Sequence, residues 1–278
     1  MILRCLVLFG ALCALRCSAL AADVATPITP REKIVLFNGK DLSNFTTWET
    51  VHGKADPERV FTVVDQIDGA PAIRCSGKYF GGVITKERYA NYRFSLEFRW
   101  GLVTWEPRKD KARDAGVLFH CQGEEGNYSK AFNGAWMRSV EFQIIEGGTG
   151  DILLVGGYDR GNPEPIAPVM KTKVTPGTKR WNPNGVEGEF TRARIDWLRR
   201  DPEWKDVLGF RGKADAEKPL GQWNRIEAIV DGGNVVYFVN GEKVNEGWAG
   251  SFKEGRILLQ SEGAEIFYRN VELNPLKK

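Results

Sequence analysis

From Arg93 to Trp100 the chain alternates without exception. Phe94, Leu96, Phe98 and Trp100 fall on one face, and Arg93, Ser95, Glu97 and Arg99 on the other. A period of two belongs to a half-buried β-strand and not to a helix. Short β-rich runs recur along the chain, divided by turn residues. Val60 to Val64 precedes Asp68-Gly69 and then Ala72 to Cys75, and Gly116 to Cys121 and Val140 to Ile145 follow. Towards the C-terminus, Asn224–Val230, Asp231-Gly232-Gly233-Asn234, Val235–Val239 and Asn240-Gly241 read as strand, turn, strand, turn. Gly255–Gln260 and Glu265–Leu273 add two more strands. Roughly a dozen strands with no helical period between them predict an all-β, antiparallel two-sheet sandwich or jelly roll.

The first residues stand apart. Met1-Ile2-Leu3-Arg4 is a basic start, Cys5 to Leu15 is apolar, and Ser18-Ala19-Leu20-Ala21-Ala22 has the small residues of a cleavage site. Residues 1–21 therefore read as a signal peptide cut after Ala21, and the mature chain is expected to be secreted or periplasmic. The apolar run is shorter than the ~20 residues that span a bilayer, so no membrane span is expected. The 278 residues carry 39 basic and 36 acidic side chains, a balance of +3 that excludes a nucleic-acid binder by charge. Cys75 and Cys121 lie beyond the signal, and one disulfide and two buried thiols are equally consistent with them.

Gly147 to about Lys218 breaks the strand rhythm with Gly, Pro, Asn and charge. Trp181, Trp197 and Trp204 within it argue against disorder. The segment is read as an insertion at one mouth of a single domain spanning residues 34–275.

Few catalytic motifs are present: there is no P-loop, no H-E-x-x-H and no G-x-S-x-G elbow. With only two histidines, His52 and His120, a multi-histidine metal site is excluded. The stretch Ser139 to Glu146 sends Val140, Phe142 and Ile144 to one face, and Glu141 and Gln143 to the other. Val117 to Cys121 offers His120, and the strand at Arg93 offers Glu97 and Arg99. Were these polar faces to line one sheet, carboxylates, an imidazole, a guanidinium and an amide would converge on a carbohydrate-like ligand. Each face taken singly also fits an ordinary solvated sheet surface. Glu141, Gln143 and Ile145 occupy the positions where laminarinase-type enzymes carry Glu-x-Asp-x-Glu, and Glu146 has the wrong parity. Ordinary two-carboxylate displacement is therefore disfavoured on this strand. Gly147-Gly148-Thr149-Gly150-Asp151 could hold a divalent cation, with a tight turn the preferred reading; no cofactor or metal ligand is otherwise assigned.

Several further segments, in order, carry a resemblance: Leu36-Phe37-Asn38-Gly39-Lys40-Asp41-Leu42, Asp114-Ala115-Gly116-Val117 with His120, and Ser139 to Asp151. Lys218 to Asn224, Val239-Asn240-Gly241 and Leu259-Gln260-Ser261-Glu262-Gly263 complete it. The chain resembles the 3-keto-disaccharide hydrolase family, secreted bacterial proteins with a concanavalin-like jelly roll. It departs from the family at Ala115, where many members carry serine, and at Glu262, where some carry histidine. The resemblance implies cleavage of a glycoside oxidised to a ketone at C3, by C2 proton abstraction, elimination and hydration. His120 and Glu141 are expected to be the acid–base pair. Glu97, Arg99, Gln143 and Glu146 are expected to bind the carbohydrate, and Trp223 to anchor a strand in the core. The alternative is a non-catalytic, lectin-like carbohydrate-binding module, because one fold hosts both.

Overall fold

The alternating segment at Arg93 becomes the central strand of a sheet. In the computed structural model, which describes residues 26–277, the strands in chain order are β1 (Ile34–Val35), β2 (Phe45–Glu49), β3 (Phe61–Ile67), β4 (Ala70–Cys75), β5 (Gly81–Thr85) and β6 (Tyr92–Thr104). There follow β7 (Asp114–Gln122), β8 (Arg138–Ile145), β9 (Ile152–Val155), β10 (Val169–Val174), β11 (Val186–Thr191) and β12 (Arg194–Ile195). The last are β13 (Asn224–Asp231), β14 (Asn234–Val239), β15 (Glu242–Gly247), β16 (Arg256–Ser261) and β17 (Ala264–Pro275). The expected signal peptide, residues 1–21, lies outside the described residues.

An eight-stranded sheet runs β15-β14-β13-β6-β17-β4-β3, with β1 paired to β17. A seven-stranded sheet runs β12-β9-β8-β7-β16-β5-β2, and β10 with β11 forms a separate ribbon. Their strand pairs are antiparallel, so the expected all-β sandwich is the observed fold. Among the described residues no helix is long and apolar enough to cross a membrane.

The two sheets meet through the apolar side of each alternation. Phe94, Leu96, Phe98 and Trp100 of β6 are buried in one cluster with Val117 and Phe119 of β7 and with Val140, Phe142 and Ile144 of β8. Phe142 stacks on Tyr237 with centroids 4.2 Å apart, and Phe119 meets Phe94 edge-on at 5.1 Å. Truncating one such ring to alanine costs about 3–5 kcal/mol. The hairpin between β14 and β15 turns at Asn240 and Gly241, whose φ angles of 50° and 85° are left-handed. That pair matches the right-handed twist of the strands it joins.

The segment read as an insertion is in part sheet. Ile152–Val155 and Arg194–Ile195 extend the seven-stranded sheet at one edge, and both are too short to show a period. Trp181 and Trp197 are buried, as the argument against disorder requires. Trp223 is not a core anchor. It is partly exposed, with the Arg269 guanidinium 3.9 Å from its ring centroid and its indole N–H donating to Asp68 Oδ2 at 2.8 Å. Cys75 and Cys121 are free and buried, one in each sheet, so of the two readings the structure takes the thiols.

Candidate active site

Directly opposed residues of an antiparallel pair share a face. Arg194 opposes Leu153, Leu153 opposes Glu141, Glu141 opposes Leu118, Leu118 opposes Leu258, and Leu258 opposes Ile84. One row of side chains thus crosses the seven-stranded sheet. Two residues along, Gln143 opposes Gly116, Gln260 opposes Gly82, and Gly82 opposes Trp48. A third row sets Ile145 against Asp114, which bridges to Glu262. Since Val140, Phe142 and Ile144 face the core, these rows lie on the outer face. Gly116 leaves the floor low between Glu141 and Gln260, and a Cβ there would collide with Glu141 Oε1 and Gln260 Oε1.

This outer face is not solvated. Glu141, Gln143, Asp114 and Gln260 are buried, and Glu262 is partly exposed. On one side the segment before β8 closes over Leu118, Cys121, Met137 and Leu258, with Trp48 and Trp136 packed against them. Trp48 Nε1 fixes that cover by donating to the Gly134 carbonyl at 2.8 Å. On the other side, the chain around Trp204 is pinned to the end of β8, where Trp204 Nε1 donates to the Glu146 carbonyl at 2.8 Å.

Three carboxyls share the space between the covers. Burial, and then the charge of Asp114, push the Glu141 carboxyl up to about 8, against the pull of Arg194. Burial raises Asp114 to about 7, opposed by Arg108, whose Nη2 lies 3.1 Å from Oδ2. Glu262 is raised well above the usual carboxylate range by burial and by the two neighbouring acids. Carboxyls this close cannot all ionise, so the cluster keeps protons near neutral pH. Gln143 donates through Nε2 to Asp114 Oδ1.

Several buried polar atoms here have no partner among the described residues: Arg194 Nη2, Arg108 Nε, Gln260 Oε1, Trp136 Nε1 and Thr46 Oγ1. Buried polar groups are ordinarily satisfied, so a concentration of unsatisfied donors and acceptors on one face marks a place for a polar ligand.

Of the residues singled out in the sequence, Glu141 and Gln143 reach this face. His120 does not join Glu141. Between Phe119 and Gln122 on β7, two intervening residues oppose one on β8, and His120 takes a left-handed φ of 56° in the resulting bulge. A bulge shifts parity. Cys121 therefore occupies the outer face with Leu118, and the imidazole sits beside the Gly232 backbone in a turn of the opposite sheet. Burial holds it down to about 4, against the opposing pull of the Gly232 backbone.

Glu97 and Arg99 also lie elsewhere, because β6 belongs to the eight-stranded sheet and its polar side faces away from the core on the far surface. There Arg269 Nε lies 2.6 Å from Glu97 Oε2, and Arg99 pairs with Asp68. The Glu146 carboxylate is fully engaged in holding loops. Arg113 Nη1 donates to Oε1 at 2.7 Å, while the backbone N–H groups of Arg113 and Gly209 donate to Oε2 at 3.0 and 2.8 Å.

The Gly147–Asp151 turn does not suit a cation. Asp151 accepts from Arg194 Nε at 2.7 Å, from Arg200 Nη1 and from the Trp197 N–H at 2.8 Å. Sequence reading missed Asp114, Gln260 and Glu262, together with the arginines beside them. The signal was in the rows already recognised: Asp114 shares parity with Gly116, and Glu262 with Gln260.

Among solved structures, the chain is similar to a protein from Parabacteroides distasonis described as a "putative glycosyl hydrolase", at 16% identity and a TM-score of 0.48, over 88% of this chain and 94% of that one. A carbohydrate-binding module from Bacillus subtilis aligns at 10% identity and a TM-score of 0.42, over 82% of this chain and 94% of its own. No curated protein matches the sequence. The sequence matches the 3-keto-alpha-glucoside-1,2-lyase-like domain over residues 32–274, nearly all of the sandwich, and it is to that carbohydrate-related family that the chain belongs.

Proposed function

We propose that the protein cleaves glycosides whose sugar carries a ketone at C3, with the three-carboxyl cluster as its acid–base centre. The observation that carries this reading is the crowding of Asp114, Glu141 and Glu262, the first two buried and all three carboxyls raised, among unsatisfied donors and acceptors. A module that only bound sugar would gain little from buried carboxyls that hold protons near neutral pH. An acid–base enzyme needs groups that titrate there. Membership of the 3-keto-alpha-glucoside-1,2-lyase-like family supports a 3-keto-glycoside as the substrate class.

A ketone at C3 acidifies the proton on C2. Asp114, held towards its ionised form by Arg108, removes that proton. The released electron pair forms the C1–C2 double bond as the bond from C1 to the leaving oxygen breaks. Glu141, protonated below about pH 8, gives its proton to that oxygen. Arg108 Nε donates to the C3 oxygen as enolate charge develops. Water then adds at C1, giving a proton to Glu141, while Asp114 returns one to C2; the net change is hydrolysis. Gln143 orients Asp114 through its amide. The export expected from residues 1–21 would suit a substrate met outside the cytoplasm.

The test is turnover of a 3-keto-disaccharide beside its unoxidised parent in deuterated water. The keto sugar should react far faster, and deuterium should appear at C2 of its product. Equal rates for the two sugars, or product without deuterium at C2, would overturn the reading.

A further inference from the structure

Beyond the acid cluster, the same outer face opens into a cleft of about 450 Å³, within the range of small-molecule sites. Its walls include Tyr128, Leu153, Val155, Tyr158, Arg192 and Arg194. Leu153 and Arg194 stand in the row that contains Glu141, so the cleft adjoins the end of the site where a leaving group would receive its proton.

The cleft differs in charge from its neighbour. Three carboxyls crowd the acid cluster, yet among the described residues no acidic side chain lines the cleft, and two guanidiniums do. Arg194 is paired with Asp151, which Arg200 shares. Arg192 is exposed and donates only to the Pro165 carbonyl, at 3.0 Å, and among the described residues it makes no salt bridge. Tyr128, 48% exposed, presents its ring at the wall and is braced edge-on against Trp136 at 5.4 Å. A flat aromatic wall beside an uncompensated guanidinium selects a ring that bears an anion.

We infer that this cleft is the leaving-group subsite and that it prefers a ring carrying a carboxylate, either a uronate or an aromatic acid. The inference rests on the assignment of Glu141 as the acid that protonates the leaving group. The carboxylate reaches Arg192, the ring lies along Tyr128, and the glycosidic oxygen is left towards Glu141.

Titration of the intact protein, followed by NMR, compares 4-hydroxybenzoate with phenol and glucuronate with glucose. The acid of at least one pair should bind roughly three- to tenfold tighter than its neutral twin, the range for a charge-assisted contact at an exposed rim. The pair with the larger gap identifies the source of the carboxylate. Arg192→Leu should abolish the gap and Arg192→Lys restore part of it. Turnover of a carboxyphenyl 3-keto-glucoside relative to the phenyl one should fall by the same factor in Arg192→Leu. Equal binding within both pairs, or a gap that survives in Arg192→Leu, overturns the subsite. The titration needs no catalysis, so failure to cleave any 3-keto-glycoside would instead count against the assignment of Glu141.

Discussion

Two strands of this protein carry the same kind of alternation and put it to opposite uses. On β6, Glu97 and Arg99 stand on the outer face of the eight-stranded sheet, and each is matched by an opposite charge, Arg269 or Asp68. On β8, Glu141 and Gln143 stand on the outer face of the seven-stranded sheet, covered by loops from both sides. There carboxyl lies beside carboxyl, and donors such as Arg194 Nη2 have no acceptor among the described residues. Alternation reports only that a strand has a buried and an unburied side. What distinguishes a reactive face from a solvated one is cover and imbalance: water is excluded, and the charges do not close among themselves.

The comparison breaks most sharply at Glu141. Glu141→Gln keeps the shape and removes the transferable proton, and Asp114→Asn does the same for its partner. Each should lower kcat/KM on a 3-keto-disaccharide by about 10²- to 10⁴-fold, the range for losing a general acid or base. Glu97→Gln, on the equivalent polar side of β6, should stay within about twofold of the parent. Steady-state kinetics on the three variants decide it. A large loss in Glu97→Gln, or none in Glu141→Gln and Asp114→Asn, would reverse the roles of the two faces.

The contrast also shows what a sequence can carry. The longer strands, their antiparallel character and the inward residues of β6 and β8 were legible, because the clearest of them rest on a period of two inside a single run. Which sheet a strand joins was not. Glu97 and Glu141 look alike until β6 is seen between β13 and β17, and β8 between β7 and β9. The position of His120 was hidden for another reason. One extra residue in β7 turns its side chain to the other side, and such a bulge leaves no mark on the hydrophobic pattern. Asp114 was within reach of the reasoning, since parity alone sets it with Gly116.

Gly116→Ala sharpens the comparison without removing an ionisable group. The added methyl meets Glu141 and Gln260 on the site floor. Turnover should fall roughly tenfold, with about 1–3 kcal/mol of stability lost to overpacking. Parallel kinetics and thermal melts would expose the alternative, a purely structural glycine, as lost stability with intact kcat/KM.

Acidity separates the faces by a smaller factor. If Asp114 must be ionised and Glu141 protonated, kcat/KM should peak between about pH 7 and 8, falling two- to tenfold one unit beyond either limb. For stability the sign follows from proton binding. The folded state holds these protons more tightly than the unfolded chain, so they favour folding fully below about pH 4, and the benefit is lost as pH rises to about 8. His120 acts in the other direction. It is held neutral down to about pH 4, so its contribution is lost as pH falls from about 6.5 to 4. Melting curves of Glu141→Gln against the parent should converge at low pH and separate above neutrality. Curves that keep a constant offset would remove the raised Glu141 proton from the account.

The smallest effect belongs to the paired surface. The side chains of Arg99 and Asp68 are 25% and 55% exposed, so water screens their attraction and competes for their hydrogen bonds. Asp68 also accepts from the Trp223 indole, so removing the guanidinium leaves it neither buried nor without a donor. Arg99→Gln should therefore change stability by about 0–1 kcal/mol and leave kcat/KM within about twofold. Chemical denaturation and the same kinetic assay measure both. A tenfold kinetic loss would mean that the far face reaches the substrate, because screened pairs on a closed surface have no other route to the reaction.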